Sequence, residues 1–210
     1  MTYSGLDLTT SERRPSAYAA LGSQGHLEEC GTLRSDQDIL RRVLESGSTL
    51  VAMDCPLGFP LGLCCLEEEC SCIPASSLKG RECERELARR GVPCYFTTKR
   101  SIIKDMVYRG MALRDALAGH GIEVLEVYPY AAKVALWRKP IPLKTTPQGM
   151  AFLRGRLGQL VPGLLSCREK PTHDLYDAIL ASYTAYLHSQ GKTESLGVEE
   201  EAMIVVPRAG

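Results

Sequence analysis

The stretch LVAMDCPLGFP, residues 50–60, sets one carboxylate, Asp54, at the end of an apolar run that breaks at Pro56. From Thr49 to Asp54 the run has the character of a central strand covered on both faces. A charge buried alone there is costly unless a partner neutralises it or a metal binds it. N-terminal to it, TYSGLDL (2–8), Ser16–Leu21 and Leu27–Leu33 each read as strands, and GSQG (22–25) is turn-forming. Three successive short strands predict an antiparallel meander. Ser35-Asp36-Gln37-Asp38 resembles a capping box. Ile39, Leu40, Val43 and Leu44 follow at helical spacing, and Gly47 ends that helix.

C-terminal to the run, residues 56–80 are irregular and carry Pro56, Gly58, Pro60, Gly62, Pro74 and several cysteines. A connection of that length is usually functional or held by something. Helices are predicted over 81–90 and 101–118, and Ile122–Tyr128 reads as a fifth strand. Pro129 opens a further helix. A Pro- and Lys-rich loop covers Lys139–Pro147, helices follow at 148–160 and 173–189, and Met203–Val206 reads as a last short strand. The order βββ-α-β-α-β-α-α specifies an α/β fold with a mixed five-stranded sheet, a three-strand antiparallel meander plus parallel strands, flanked by helices. The expected organisation is one domain over 1–210 with a Cys-rich insertion loop at about 56–80.

The composition is that of a soluble globular chain: 210 residues, 44% hydrophobic and 24% charged. Twenty-five basic and twenty-five acidic residues cancel, so overall charge gives no pull toward nucleic acid or membrane. Locally, Arg85 to Arg109 holds seven basic residues against two acidic ones. No apolar stretch is long enough to span a bilayer, and MTYSGLDLTTSERRP lacks the pattern of a signal peptide. The expectation is a cytoplasmic protein with no membrane partner. Four of nine cysteines crowd into Cys64-Cys65-x4-Cys70-x-Cys72. In a reducing compartment such crowding points to metal before disulfides. Cys64 or Cys65 with Cys70 and Cys72, and Cys83 or Cys94 as a fourth ligand, is a candidate set for zinc or iron that pins the loop. Free thiols or a disulfide are the alternatives. Cys30, Cys55 and Cys167 have the look of small buried residues.

Asp54 is not the only carboxylate with apolar neighbours. Asp7 lies in GLDLTTS, Glu126 in VLEVYP, and Asp174 and Asp177 in HDLYDAILASYTA, one turn apart on a single helix face. Taken singly, Asp174 near a helix start is an ordinary cap, and any of the others is ordinary as half of a salt bridge. Taken together, acids from neighbouring strands repel unless a cation lies between them. Oxygen donors suit Mg²⁺ or Mn²⁺, and two such ions clamp the attacking and leaving oxygens of a phosphodiester. Asp7, Asp54, Glu126 and Asp177 are therefore the candidate catalytic set, with Asp174 as an additional metal ligand.

The motifs GLDLTTS, VAMDCPLGFP, RECERELARRGVPCYFTTKRS, EVYPYAAK and HDLYDAILASYTA, in this order over roughly residues 3–190, resemble the family called domain of unknown function 429. Its members are predicted nucleases of the ribonuclease-H-like superfamily. More distantly, the plan is similar to Holliday-junction resolvases of the RuvC type. The resemblance implies that Asp7 bridges the metals, that Asp54 is the fourth-strand ligand, and that Asp177, helped by Asp174, is the helix ligand. Lys133 corresponds to a basic residue near the resolvase substrate. Glu126 has no counterpart among resolvase ligands and is placed as an extra ligand or a supporting residue. The implied partners are DNA, RNA or a hybrid and, as in resolvases, a second copy of the chain.

Around these acids, Arg81, Arg85, Lys99, Arg100 and Lys104 are candidates for phosphate contacts, with Tyr95 and Phe96 for stacking. His173 is placed either to shuttle protons or simply beside the cap. Two other function classes fit parts of the pattern. Asp7-Leu8-Thr9-Thr10-Ser11 resembles the phosphate-gripping hairpin of actin-like ATP-binding proteins, although Thr9 stands where glycine is usual. A non-catalytic binding module, organised by a cysteine-bound metal, is the other.

Overall fold

The computed structural model describes residues 1–167, 169 and 172–209. Strands β1 (Thr2–Asp7), β2 (Ser16–Leu21) and β3 (Leu27–Leu33) form the antiparallel meander. Helix α1 (Asp36–Glu45) starts at Ser35, whose hydroxyl accepts the Asp38 amide at 3.0 Å and satisfies a donor the helix itself leaves open. β4 (Ser48–Asp54) then pairs parallel with β1, and β5 (Glu123–Val127) parallel with β4. Helices α2 (Glu82–Arg89) and α3 (Lys104–Ala118) lie between those two strands in sequence. After β5 come α4 (Pro129–Trp137), α5 (Pro147–Leu160) and α6 (His173–Ser189).

The sheet extends beyond the five expected strands. β7 (Ile204–Pro207) pairs parallel with β5, and β6 (Thr193–Leu196) closes the edge, giving seven strands in the order β3-β2-β1-β4-β5-β7-β6. The run at Met203–Val206 signals β7. β6 has no comparable signal, because TESL buries only its two end residues.

Side chains alternate across the sheet with a period of two. Leu6, Leu8, Val51 and Met53 pack with Ile39, Val43, Leu113 and Leu117, so α1 and α3 cover one face. Ala17, Ala19 and Leu21 pack with α4, α5 and α6 on the other, and Tyr3, Ala52, Leu125 and Val127 also meet α6 there. This second face is lined by small residues because α6 lies almost on the backbone of β1. A Cβ on Gly5 would collide with the Ala178 carbonyl oxygen and the Ser182 amide, while the Ser182 hydroxyl donates to the Tyr3 carbonyl at 2.7 Å.

The irregular connection from Cys55 to Gly80 is tied down at its end by Arg81, which is fully buried. Its guanidinium grips Glu126 with two bonds of 2.6 and 2.7 Å and donates a third to Glu84 at 2.9 Å. Glu84 also accepts the Thr97 amide and hydroxyl, and Glu126 accepts the Leu57 amide at 2.7 Å. Every charged group in this cluster therefore has a partner, the condition under which burial is tolerable.

Two substitutions test these contacts by chemical denaturation. Gly5→Ala is expected to cost at least about 3 kcal/mol, the upper range for overpacking, because the obstacle is backbone rather than a movable side chain. Glu126→Gln, which takes away one of the two carboxylates on the buried Arg81 guanidinium and sets an amide NH₂ against one of its N–H donors, is expected to cost about 3–5 kcal/mol.

Candidate functional site

β1 and β4 run parallel and end together, so Asp7 and Asp54 are direct neighbours in the register. Alternation sends both toward the face covered by α6. That helix begins at Thr172, whose hydroxyl accepts the Leu175 amide at 3.1 Å, and its next turn carries Asp177. The three aspartates line one cleft of about 470 Å³. Lys133 from α4 and Lys144 from the loop before α5 line it too, and Tyr95, Tyr128 and Tyr130 form part of its wall.

The acids carry a heavy electrostatic load. Burial, with the charges of Asp54 and Asp177 added, pushes the Asp7 carboxyl up to about 9. Burial and Asp177 push Asp54 up to about 8, against the pull of Lys144 and Lys133. Asp177 is buried, and both its oxygens are occupied: Lys133 donates to one and Lys144 to the other. Burial works against the charge on Lys144, but Asp177 and the two strand aspartates outweigh it and raise its pKa. The Asp7 Oδ2 atom is buried with no hydrogen-bond partner among the described residues. A carboxylate oxygen in that state calls for a cation, a proton or a water. Three carboxylates with one unmet oxygen fit a hard divalent ion such as Mg²⁺ or Mn²⁺, and an ion reaching Asp177 has to displace a lysine. Among the described residues the cysteines, not these acids, are the group whose donor atoms all lie within 4.8 Å of one another.

The other expected site residues are distributed differently. Glu126 is not a free ligand. It registers with Met53, which faces α1 and α3, so its carboxylate leaves the sheet on the side opposite Asp7 and Asp54 and is held by Arg81. Arg81 correspondingly is no phosphate contact, being sealed beneath Glu84 and Glu126. Arg85 also turns inward, onto Glu82 and the Gly80 carbonyl. Asp174 lies half-exposed beside His173, with 2.6 Å between Nδ1 and Oδ1, one turn before Asp177. Lys99 donates to the Cys70 carbonyl, Arg100 pairs with Glu68 and Lys104 with Glu67, so all three lie against the cysteine loop. Lys133 points into the acidic cleft. Lys144 carries no mark in the sequence, since one lysine in a Pro- and Lys-rich loop gives no signal of its own.

The hairpin after β1 is engaged internally. The Thr9 hydroxyl donates to the Arg14 carbonyl at 2.8 Å, and Arg109 donates to the Thr9 carbonyl at 2.7 Å and to Asp36 at 2.8 Å. Of the six cysteines weighed for metal, Cys64, Cys65, Cys70 and Cys72 cluster. Cys83 is instead a core residue packed with Leu87 and Leu196, and Cys94 donates to the Glu84 carbonyl. No helix among the described residues is long and apolar enough to cross a membrane.

Comparison with solved structures places this architecture. Thermus thermophilus RuvC matches with a TM-score of 0.50 at 13% identity, over 91% of this chain and 97% of that one. T. thermophilus RuvC in complex with a Holliday junction substrate matches with a TM-score of 0.51 at 14% identity, over 91% of this chain and 96% of that one. The fold is thus RuvC-like and ribonuclease-H-like, as the motif order implies. No curated protein matches the chain. The family described as "Protein of unknown function (DUF429)" matches residues 5–202, and the chain belongs to that family.

Proposed function

We propose that the protein is a divalent-metal-dependent nuclease that hydrolyses phosphodiester bonds of nucleic acid. The observation that carries this is the juxtaposition of Asp7 and Asp54 at adjacent strand ends, in one cleft with Asp177 and with an oxygen of Asp7 left unpartnered. Asp7, Asp54 and Asp177 would hold Mg²⁺ or Mn²⁺, with Asp174 at the margin. When bound, such an ion neutralises the acids, activates water and stabilises the leaving oxygen.

The chain's own residues supply the rest of the site. Lys133 and Lys144 bring two positive charges to a cleft that must accept a phosphate. Their present bonds occupy both oxygens of Asp177. Tyr128 and Tyr130, with ring centroids 6.2 Å apart, and Tyr95, which is largely exposed, offer faces for unstacked bases. Farther out, Lys99 and Arg100 line a second opening of about 500 Å³ together with Thr97 and Thr98. A phosphate backbone passing there would draw Arg100 and Lys104 from their present partners, Glu68 and Glu67. The cleft also carries apolar side chains, among them Leu8, Ile141, Leu143 and Leu153, which suit unstacked bases of single or splayed strands. Its resemblance in fold to RuvC supports the same substrate class. RuvC-type enzymes act as dimers, and a homodimer is the corresponding expectation here.

The test is cleavage of a four-way DNA junction, an RNA–DNA hybrid and single strands with Mg²⁺ or Mn²⁺. Wild-type protein should cut at least one of them and stop on chelation. Asp7→Asn and Asp54→Asn should each lower the rate by more than about 100-fold, beyond the usual cost of losing an outer metal partner. Activity unchanged in both variants contradicts the assignment.

Stability gives a second readout with the opposite sign to Glu126→Gln. Removing one of the repelling buried carboxylates should raise the melting temperature of metal-free protein by about 2–4 °C, corresponding to about 1 kcal/mol. Mn²⁺ should then stabilise the wild type and neither variant.

A further inference from the structure

Four cysteines meet in a part of the chain that has no regular secondary structure. Residues 55–81 contain no helix or strand. Of the loop's large apolar residues, Leu57 and Leu66 are buried, whereas Ile73 and Leu78 are 75% and 61% exposed. The neck is closed by one backbone bond, from the Ala75 amide to the Leu61 carbonyl at 2.6 Å. Gly62, with a φ of +90°, makes the approach possible, because a Cβ there would lie 2.6 Å from the Ile73 carbonyl oxygen. Beyond this neck, Cys64, Cys65, Cys70 and Cys72 converge until all four sulfurs lie within 4.8 Å of one another. Adjacent cysteines would point apart in a strand, but here they sit in irregular backbone and both reach the cluster.

We propose that Cys64, Cys65, Cys70 and Cys72 form a structural tetrathiolate site for Zn²⁺. The spacing fits. Sulfurs about 2.3 Å from a tetrahedral zinc stand about 3.8 Å from each other, and Cys64 and Cys70 lie 3.6 Å apart. That is far outside the S–S bond of a disulfide, about 2.05 Å. Thiolate donors select zinc over the hard ions suited to the carboxylate cleft. Four protein ligands leave no open position, so the site is structural rather than catalytic. Basic residues stand beside the resulting negative charge: Lys99 donates to the Cys70 carbonyl, and Arg100 pairs with Glu68.

The segment between the cysteine pairs is also tied to the start of α3. The Leu66 amide donates to the Tyr108 hydroxyl at 2.7 Å, that hydroxyl donates to Glu67 at 3.0 Å, and Lys104 pairs with Glu67 at 2.9 Å. Ile103 and Met106, at that same helix start, form part of the acidic cleft's wall. Zinc therefore braces one side of that cleft through α3. The site itself is inferred independently of nuclease activity.

The experiment is metal analysis of protein purified under reducing conditions from zinc-supplied cells. One zinc per chain is expected, and Co²⁺ substitution should give the absorption of a tetrathiolate site. Cys70→Ser and Cys72→Ser should lose the metal, whereas Cys94→Ser and Asp7→Asn should keep it. A strong chelator should lower the melting temperature of the wild type. If the serine variants do not fold, the wild-type zinc content and cobalt spectrum decide the matter alone. Four freely reacting thiols without metal would overturn the proposal. So would a Cys64–Cys70 disulfide under reducing conditions, iron in place of zinc, or zinc retained by both serine variants.

Discussion

The near-contact of α6 with the backbone of β1 governs the geometry of this molecule. Gly5 leaves no side chain between strand and helix, and Ala178, Ala181 and Ser182 keep the helix side equally thin. Asp7 lies two residues beyond Gly5 on the same face, and Asp177 immediately precedes Ala178. The same close packing thus fixes the fold and sets the helix carboxylate opposite the strand carboxylates. A bulkier residue at position 5 would move Asp177 away from Asp7 as surely as it would disturb the core.

Buried charge is handled in two ways on the two sides of the sheet. On the α3 side, Glu126 and Glu84 share the guanidinium of Arg81, and the cluster anchors the end of the long loop. On the α6 side, Asp177 is covered by two lysines, while Asp7 and Asp54 face each other with insufficient compensation. A folded chain does not gain stability from two acids set side by side with one oxygen unpartnered. Such an arrangement is a common signature of a site tuned for binding or chemistry. The contrast with the Arg81 cluster, in which every charged group is hydrogen-bonded, gives the acidic cleft its functional meaning.

Much of this was legible in the sequence because it depends on local pattern. The meander, the helix capped by Ser35 and the apolar fourth strand follow from periodicity and cap chemistry. Acids at strand ends and on a late helix identify themselves by their apolar surroundings, which is how Asp7, Asp54 and Asp177 are found. Glu126 shows the limit of that signal. It has the same apolar neighbours, but its face depends on the register between β4 and β5, and its partner lies 45 residues away in sequence. Arg81 reads as one more basic residue near Arg85 and Lys99 until its burial is known. Lys144 is invisible for the converse reason, since its neighbours in the chain are those of any loop. Crowding of cysteines is plain in the sequence, but the choice among ligands is not, because Cys83 and Cys94 are removed from the set only by packing.

The central claim is that the carboxylate cleft takes a hard divalent ion. The most direct measurement is an anomalous difference map from a crystal soaked in Mn²⁺. A peak between Asp7 and Asp54 is expected, with Asp177 released from at least one lysine and the peak lost in Asp7→Asn. A cleft without manganese at saturating concentration, with Lys133 and Lys144 still bound to Asp177, would contradict it.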